Sequence, residues 1–276
     1  MPLNLQVTLA TDPSTADWPN EDFAVITPGV AVLIDGASSP AGRSTGCLHG
    51  VAWYARTLGA HLAASAAGTM APLADVLADA ISQVSQMHAV TCDLDHPGTP
   101  SATAILVRAT GDVLEYLVLA DSVLLLVPAD NEPVVICDTR LEDIATRYRP
   151  NYRELAGTGE REAARQAYIT QLDGLRNRPG GYWVAAADPA AAEQAITGNF
   201  PVADLDAVSL LSDGAGRLAD RYHLATWPQI AATLAEHGPG ELIRQLRAAE
   251  ASDPDGLRWP RNKIRDDATA VYWMLR

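Results

Sequence analysis

The chain has 276 residues, 48% of them hydrophobic and 20% charged, a globular composition that excludes a disordered, collagen-like or coiled-coil protein. Its 34 acids against 20 bases give a net charge of −14, a field that repels nucleic acid and anionic membranes alike. Cys47, Cys92 and Cys137 suggest neither a disulfide framework nor a CxxC zinc pair, and no signal peptide or membrane span is read, so a cytoplasmic protein is expected. Lys263 is the only Lys among the 20 basic residues, a bias expected of a GC-rich bacterial genome.

Leu3–Ala10 alternates apolar and polar residues, as a half-buried strand does. Two apolar runs, 23–27 and 30–34, follow on either side of Pro28-Gly29, which suits the centre of a type II turn and predicts a hairpin. Apolar residues then recur at three- and four-residue steps from Leu48 to Leu62, with Ser44 or Thr45 as N-cap, and again from Leu73 to Met87. Each of these helices has one apolar face, which must cover something, most simply a sheet. Strands are expected at SATAILVR from Ser101, then at VLEYLVLA, SVLLLV and PVVIC. The Arg-rich stretch 141–178 reads as exposed helix. GGYWVAA and DAVSLLS read as strands, followed by helices near 227–236 and 240–249 and a last strand, ATAVYWML. With no repeat or linker to split it, the chain is expected to form a single domain over 1–276. The fold class is α+β: a four-layer α-β-β-α sandwich, two mainly antiparallel sheets flanked by helix pairs.

Acids stand where apolar strands begin or end. Asp22 precedes FAVIT, Asp35-Gly36 closes VAVLI, Asp121 closes EYLVLA, Asp213-Gly214 closes VSLLS, and Asp266-Asp267 opens ATAVYW. If residues 27 and 30 face each other across the turn, Asp22 falls directly opposite Asp35, roughly 5 Å away at Cβ. Like charges at that distance need a cation between them. Oxygen ligands without nearby His or Cys point to Mg²⁺ or Mn²⁺ rather than Zn²⁺.

These residues resemble the metal-dependent protein phosphatases of the protein phosphatase 2C type, bacterial members in particular. NEDFAVI resembles the first acidic motif of that family and VLIDGASS its Asp-Gly motif. GTPSATA, LADS, LLSDGAGRL and RDDATAVYW follow in the family's order. The resemblance implies a serine/threonine phosphatase that hydrolyses phosphomonoesters with a metal-bridging hydroxide. Its cofactors would be two Mn²⁺ or Mg²⁺ ions, with a third, weaker one. By carry-over, Asp35 bridges the metals, the Gly36 carbonyl binds one, and Asp213 and Asp266 complete the other's ligands. Asp121 helps to hold the third ion, and Asp22 acts directly or through water. The implied partner is a phosphoprotein substrate.

Some positions depart from that pattern. The Arg that grips substrate phosphate in the family is missing from PSTADWPNED, Ala120 replaces the Gly of Gly-Asp-Ser, and Asp267 replaces an Asn. Arg43, first, and the cluster Arg258, Arg261, Lys263 and Arg265 are the candidate replacements for the phosphate ligand. Two other functions are compatible with the altered grip: a pseudophosphatase that binds a phosphoprotein or partner, and a phosphatase of small phosphoesters. The six His residues have no metal-motif spacing and are read as surface or packing residues. Tyr182, Trp183, Trp259, Tyr272 and Trp273 are read as core.

Overall fold

The computed structural model describes residues 6–37, 44–150, 158–259, 261 and 263–276. Strand β1 (Gln6–Asp12) is followed by a hairpin of β2 (Asp22–Thr27) and β3 (Val30–Ala37), and then by helices α1 (Val51–Gly68) and α2 (Leu73–His88). Four strands come next: β4 (Ser101–Thr110), β5 (Val113–Leu119), β6 (Val123–Pro128) and β7 (Val134–Ile136). After α3 (Arg140–Tyr148) and α4 (Thr158–Asp173) come β8 (Ile196–Pro201), β9 (Leu205–Leu211) and α5 (Asp213–Asp220). The chain ends with α6 (Trp227–His237), α7 (Pro239–Ala251) and β10 (Ala268–Met274).

The strands form two five-stranded sheets, β1-β10-β9-β6-β7 and β2-β3-β4-β5-β8, and every pairing of neighbouring strands is antiparallel. Alternation along β3 shows how they stack. Val30, Val32 and Ile34 pack with Tyr54, Leu58 and Leu62 of α1 and with Leu77 and Ile81 of α2. Ala31 and Leu33, pointing the other way, join Ile105, Val118, Leu124, Leu210, Val271 and Trp273 between the sheets. On the far face Val123, Leu125 and Leu211 meet Leu218, Ile230, Leu234, Leu242 and Leu246 from α5, α6 and α7. This is the expected four-layer sandwich, and its middle strands are apolar on both faces because both faces are covered.

Three local expectations are corrected. GGYWVAA is not a strand. It touches the sheet only at the bridge Ala102–Ala185, because β5 pairs with β4 only from Ala104 to Thr110 and leaves just the first residues of β4 to bond. Helix α1 starts at Val51 rather than near Leu48, its N-cap Gly50 offers no side chain, and Leu48 is 83% exposed. Neither β8, a polar edge strand, nor the glycine-bearing α5 has a pattern that periodicity detects. Arg43 and residues 3–5 of the first expected strand lie outside the described residues. Tyr182 and Trp273 are buried as expected.

Candidate metal centre

The hairpin register is the one expected from the turn: Thr27 faces Val30 and Asp22 faces Asp35. Gly29 at φ 78° supplies the left-handed residue that a Pro-Gly type II turn requires. Two carboxylates are thereby set side by side at one end of the sheet. Asp213, at the first turn of α5, donates its backbone N–H to Asp35 Oδ2 at 3.1 Å. Asp121 follows β5, and Asp266 precedes β10. All five acids thus lie at or beside strand ends.

Neighbouring backbone is fitted closely around these acids. A Cβ on Gly36 would stand 2.4 Å from Val51 Cγ1 and 2.8 Å from the Glu21 carbonyl, so only Gly lets α1 and the β2 approach close on the Asp35 turn. Asp267 accepts the backbone N–H groups of Ser14 at 2.6 Å and Glu21 at 2.8 Å, which fixes the connection leading into Asp22. Behind Asp22, the Ser212 hydroxyl accepts the Thr269 N–H, and the Thr269 and Thr11 hydroxyls meet at 2.7 Å.

Charge is concentrated here without full compensation. Burial, opposed by hydrogen bonds from Thr269 and Ser212 and reinforced by Asp213 and Asp267, pushes Asp22 up to about 7. Asp22 Oδ2 is buried with no hydrogen-bond partner among the described residues. Asp35 is held well above the usual carboxylate range, first by burial and then by Asp22, Asp213, Asp266 and Asp121. Burial and then Asp213 lift Asp121 to about 7, and the same two causes lift Asp220 to about 6. Carboxylates that hold protons near neutrality for want of positive charge are a fit for divalent cations, and an all-oxygen donor set suits hard ions such as Mg²⁺ or Mn²⁺.

Asp266 differs from the rest, because two protein cations already hold it. Arg217 Nη2 lies 2.5 Å from its Oδ2 and 3.8 Å from Asp213 Oδ2, and Lys263 Nζ lies 2.9 Å from its Oδ1. Desolvation works against the charge of Arg217, but Asp213 and Asp266 outweigh it and raise its pKa. Lys263 is likewise raised, by Asp266 and then by Asp213 and Asp35. Arg217 has no counterpart in the sequence reading. Its i, i+4 spacing from Asp213 would have revealed it, had DGAGRLAD been read as a helix.

The expected basic cluster divides. Arg261 is pinned to Asp253 at 2.7 Å with its side chain 1% exposed. Arg265 reaches Asp12 and Glu250, and Arg258 lies over the Trp259 ring. The guanidinium groups of these three are engaged away from the carboxylates of the centre. Lys263 alone of the four faces the acids.

The sequence matches the protein phosphatase 2C family over residues 15–248. No curated protein sequence matches it. Among solved structures, the serine/threonine phosphatase PstP/Ppp of Mycobacterium tuberculosis is 14% identical, with a TM-score of 0.58 over 99% of this chain and 99% of that one. Stp1, a serine/threonine phosphatase from Staphylococcus aureus, is 12% identical with a TM-score of 0.60, covering 99% of this chain and 95% of its own. PppA of Pseudomonas aeruginosa, described as a regulatory component of a type VI secretion system, is 17% identical with a TM-score of 0.56, over 99% and 98%.

Proposed function

The chain belongs to the protein phosphatase 2C family of metal-dependent serine/threonine phosphatases, and on that footing we propose which residues carry its activity. Asp35, the Gly36 carbonyl, Asp213 and Asp266 hold two Mn²⁺ or Mg²⁺ ions, Asp121 helps to hold a third, and Asp22 acts on them directly or through water. The whole chain acts as one catalytic domain on phosphoproteins in the cytoplasm, a compartment supported by three free cysteines. Among the described residues no helix is long and apolar enough to cross a membrane.

Bound metals supply electrophilic charge and an acidified water at neutral pH. The chain's own groups do the rest. The facing pair Asp22–Asp35 is the observation that carries this reading, because two acids set opposite each other, one with a buried oxygen that has no partner among the described residues, favour a divalent cation between them. Lys263 takes the place of the missing phosphate Arg: its ammonium sits on Asp266 with its side chain 47% exposed, open to a phosphate dianion. Arg217, with its side chain 9% exposed, is too enclosed for that task and instead orients Asp266 from the other side. A lysine binds phosphate as a point charge rather than as a bidentate fork, so a looser grip than the family's Arg is expected.

Hydrolysis of a phosphothreonine peptide with Mn²⁺, Mg²⁺ or EDTA tests the assignment. Asp35→Asn should abolish turnover. Lys263→Ala should raise KM roughly ten- to a hundredfold, the loss of one charge-assisted bond of about 1.5–3 kcal/mol, while Mn²⁺ affinity is unchanged or improves. Unchanged kinetics in Lys263→Ala would remove it as the phosphate ligand, and metal-independent turnover would refute the site as a whole.

A further inference from the structure

Away from the carboxylates, four metal-type donors converge where the approach to α1 meets the end of α2. Cys47 and His49 lie in the turn before α1, His88 is the last residue of α2, and Cys92 follows in the next turn. The two Sγ atoms and one ring nitrogen from each His all lie within 4.8 Å of one another. Cys47 Sγ is 3.3 Å from Cys92 Sγ, 3.6 Å from His88 Nδ1 and 3.8 Å from His49 Nδ1, and Cys92 Sγ is 3.4 Å from His49 Nδ1. In a zinc tetrahedron with bonds of about 2.3 Å to sulfur and 2.0–2.1 Å to nitrogen, neighbouring donors stand roughly 3.3–3.8 Å apart. The observed spacings already span that range. We infer that Cys47, His49, His88 and Cys92 bind one structural Zn²⁺.

The surroundings are those of a metal site rather than of ordinary packing. Backbone N–H groups of His49 and Leu48 point at Cys47 Sγ and Cys92 Sγ, each at 3.4 Å, an arrangement that stabilises thiolates. Trp53 stacks on His49 with centroids 4.3 Å apart and lies 5.1 Å from His88, holding both imidazoles in place. A disulfide accounts for less. The two sulfurs are 3.3 Å apart rather than about 2.0 Å, and a disulfide would leave both imidazoles without a reason to be there. Soft thiolate and imidazole donors select zinc over Mn²⁺ or Mg²⁺, so this site is chemically separate from the carboxylate centre. Four protein ligands leave no open position, which makes the role structural.

The fold has a use for such a staple. Helix α1 begins without a side-chain cap, yet its first residue, Val51, must press against Gly36 beside Asp35. A zinc ion joining Cys47 and His49 to the end of α2 fixes that start, and a cation also suits the negative end of the α2 dipole. The sequence signal is Cys-x-His followed, far along the chain, by His-x₃-Cys, which no short-range motif joins. On this proposal His49 and His88, expected from sequence to be surface or packing residues, become ligands.

Elemental analysis of the full chain, purified reduced after zinc-supplemented expression, tests the inference. Wild type and Asp35→Asn should each retain about one zinc per chain, and Cys47→Ser/Cys92→Ser should retain none. Should the double variant fail to fold, Co²⁺ loading of the wild type decides: intense tetrahedral ligand-field bands with thiolate charge transfer are expected. Zinc persisting in the folded double variant, a wild type that takes up no Co²⁺ with thiolate charge transfer, or a Cys47–Cys92 disulfide in the freshly purified protein would each overturn it.

Discussion

Ala120 adopts φ 68°, a left-handed conformation that L-residues other than Gly seldom enter, at the position where the family motif carries Gly. A left-handed residue at this turn is one that Gly adopts without strain and Ala does not. Strain of about 1–2 kcal/mol is offset by two gains from the methyl. It is buried against Ile144, Tyr182 and Val184, which contributes about 0.8 kcal/mol, and Ala restricts the unfolded chain by about 0.4–1 kcal/mol relative to Gly. These terms nearly cancel, so Ala120→Gly should change stability by less than about 1 kcal/mol. Ala104→Gly, in the interior of β4 with no strain to relieve, should lose the full 1–2 kcal/mol. Urea denaturation of both variants checks this, and a loss at position 120 equal to that at 104 would mean the strain is absent.

The contents of an element decide how much of it could be read in advance. The hairpin of β2 and β3 was legible to the residue, because Pro28-Gly29 fixes the turn and the turn fixes the pairing of Asp22 with Asp35. Helices α1, α2, α6 and α7 were legible because each needs an apolar stripe to lie on a sheet. GGYWVAA misled because burial of Tyr182 and Val184 gives the composition of a strand without a free strand to pair with. Helix α5 was invisible because its glycines hide the periodicity, and they do so for different reasons. A Cβ on Gly214 would meet the Asp267 carbonyl at 2.0 Å, so Gly214 is what lets α5 abut the start of β10 and bring Asp213 beside Asp35. A Cβ on Gly216 would come within 3.3 Å of the end of the Asp220 side chain, which can give way, and would meet Trp227 and Val123 at ordinary contact distances of 3.7 and 3.8 Å. Gly216→Ala should therefore stabilise the fold by up to about 1 kcal/mol through helix propensity. Gly214→Ala should destabilise it and weaken Mn²⁺ binding. Thermal melts with and without Mn²⁺ distinguish the two, and a Gly214→Ala protein with wild-type metal affinity would break the link between this close approach and the centre.

For the whole molecule, the acid centre couples stability to pH and to metal. Asp22 and Asp121, at about 7, and Asp220, at about 6, bind protons more tightly folded than unfolded, where a carboxylate titrates near 4. Where the native state binds more protons, stability falls as pH rises. The contribution of these groups is fully present below about pH 4 and is lost as pH climbs through 6 and 7. Metal-free protein should therefore melt at lower temperature at pH 7.5 than at pH 5.5, even though ordinary surface carboxylates are ionised throughout that interval. Divalent ions compete with those same protons, so Mn²⁺ binding must release them, and its stabilisation should grow over the interval in which the free protein weakens. Melting curves in EDTA and in millimolar Mn²⁺ should accordingly diverge with rising pH. Asp22→Asn tests the source: it removes one anomalous proton, so it should flatten the metal-free slope and shrink the Mn²⁺ gain together. If Asp22→Asn leaves the EDTA slope unchanged, the facing pair Asp22–Asp35 is not the source of the pH dependence.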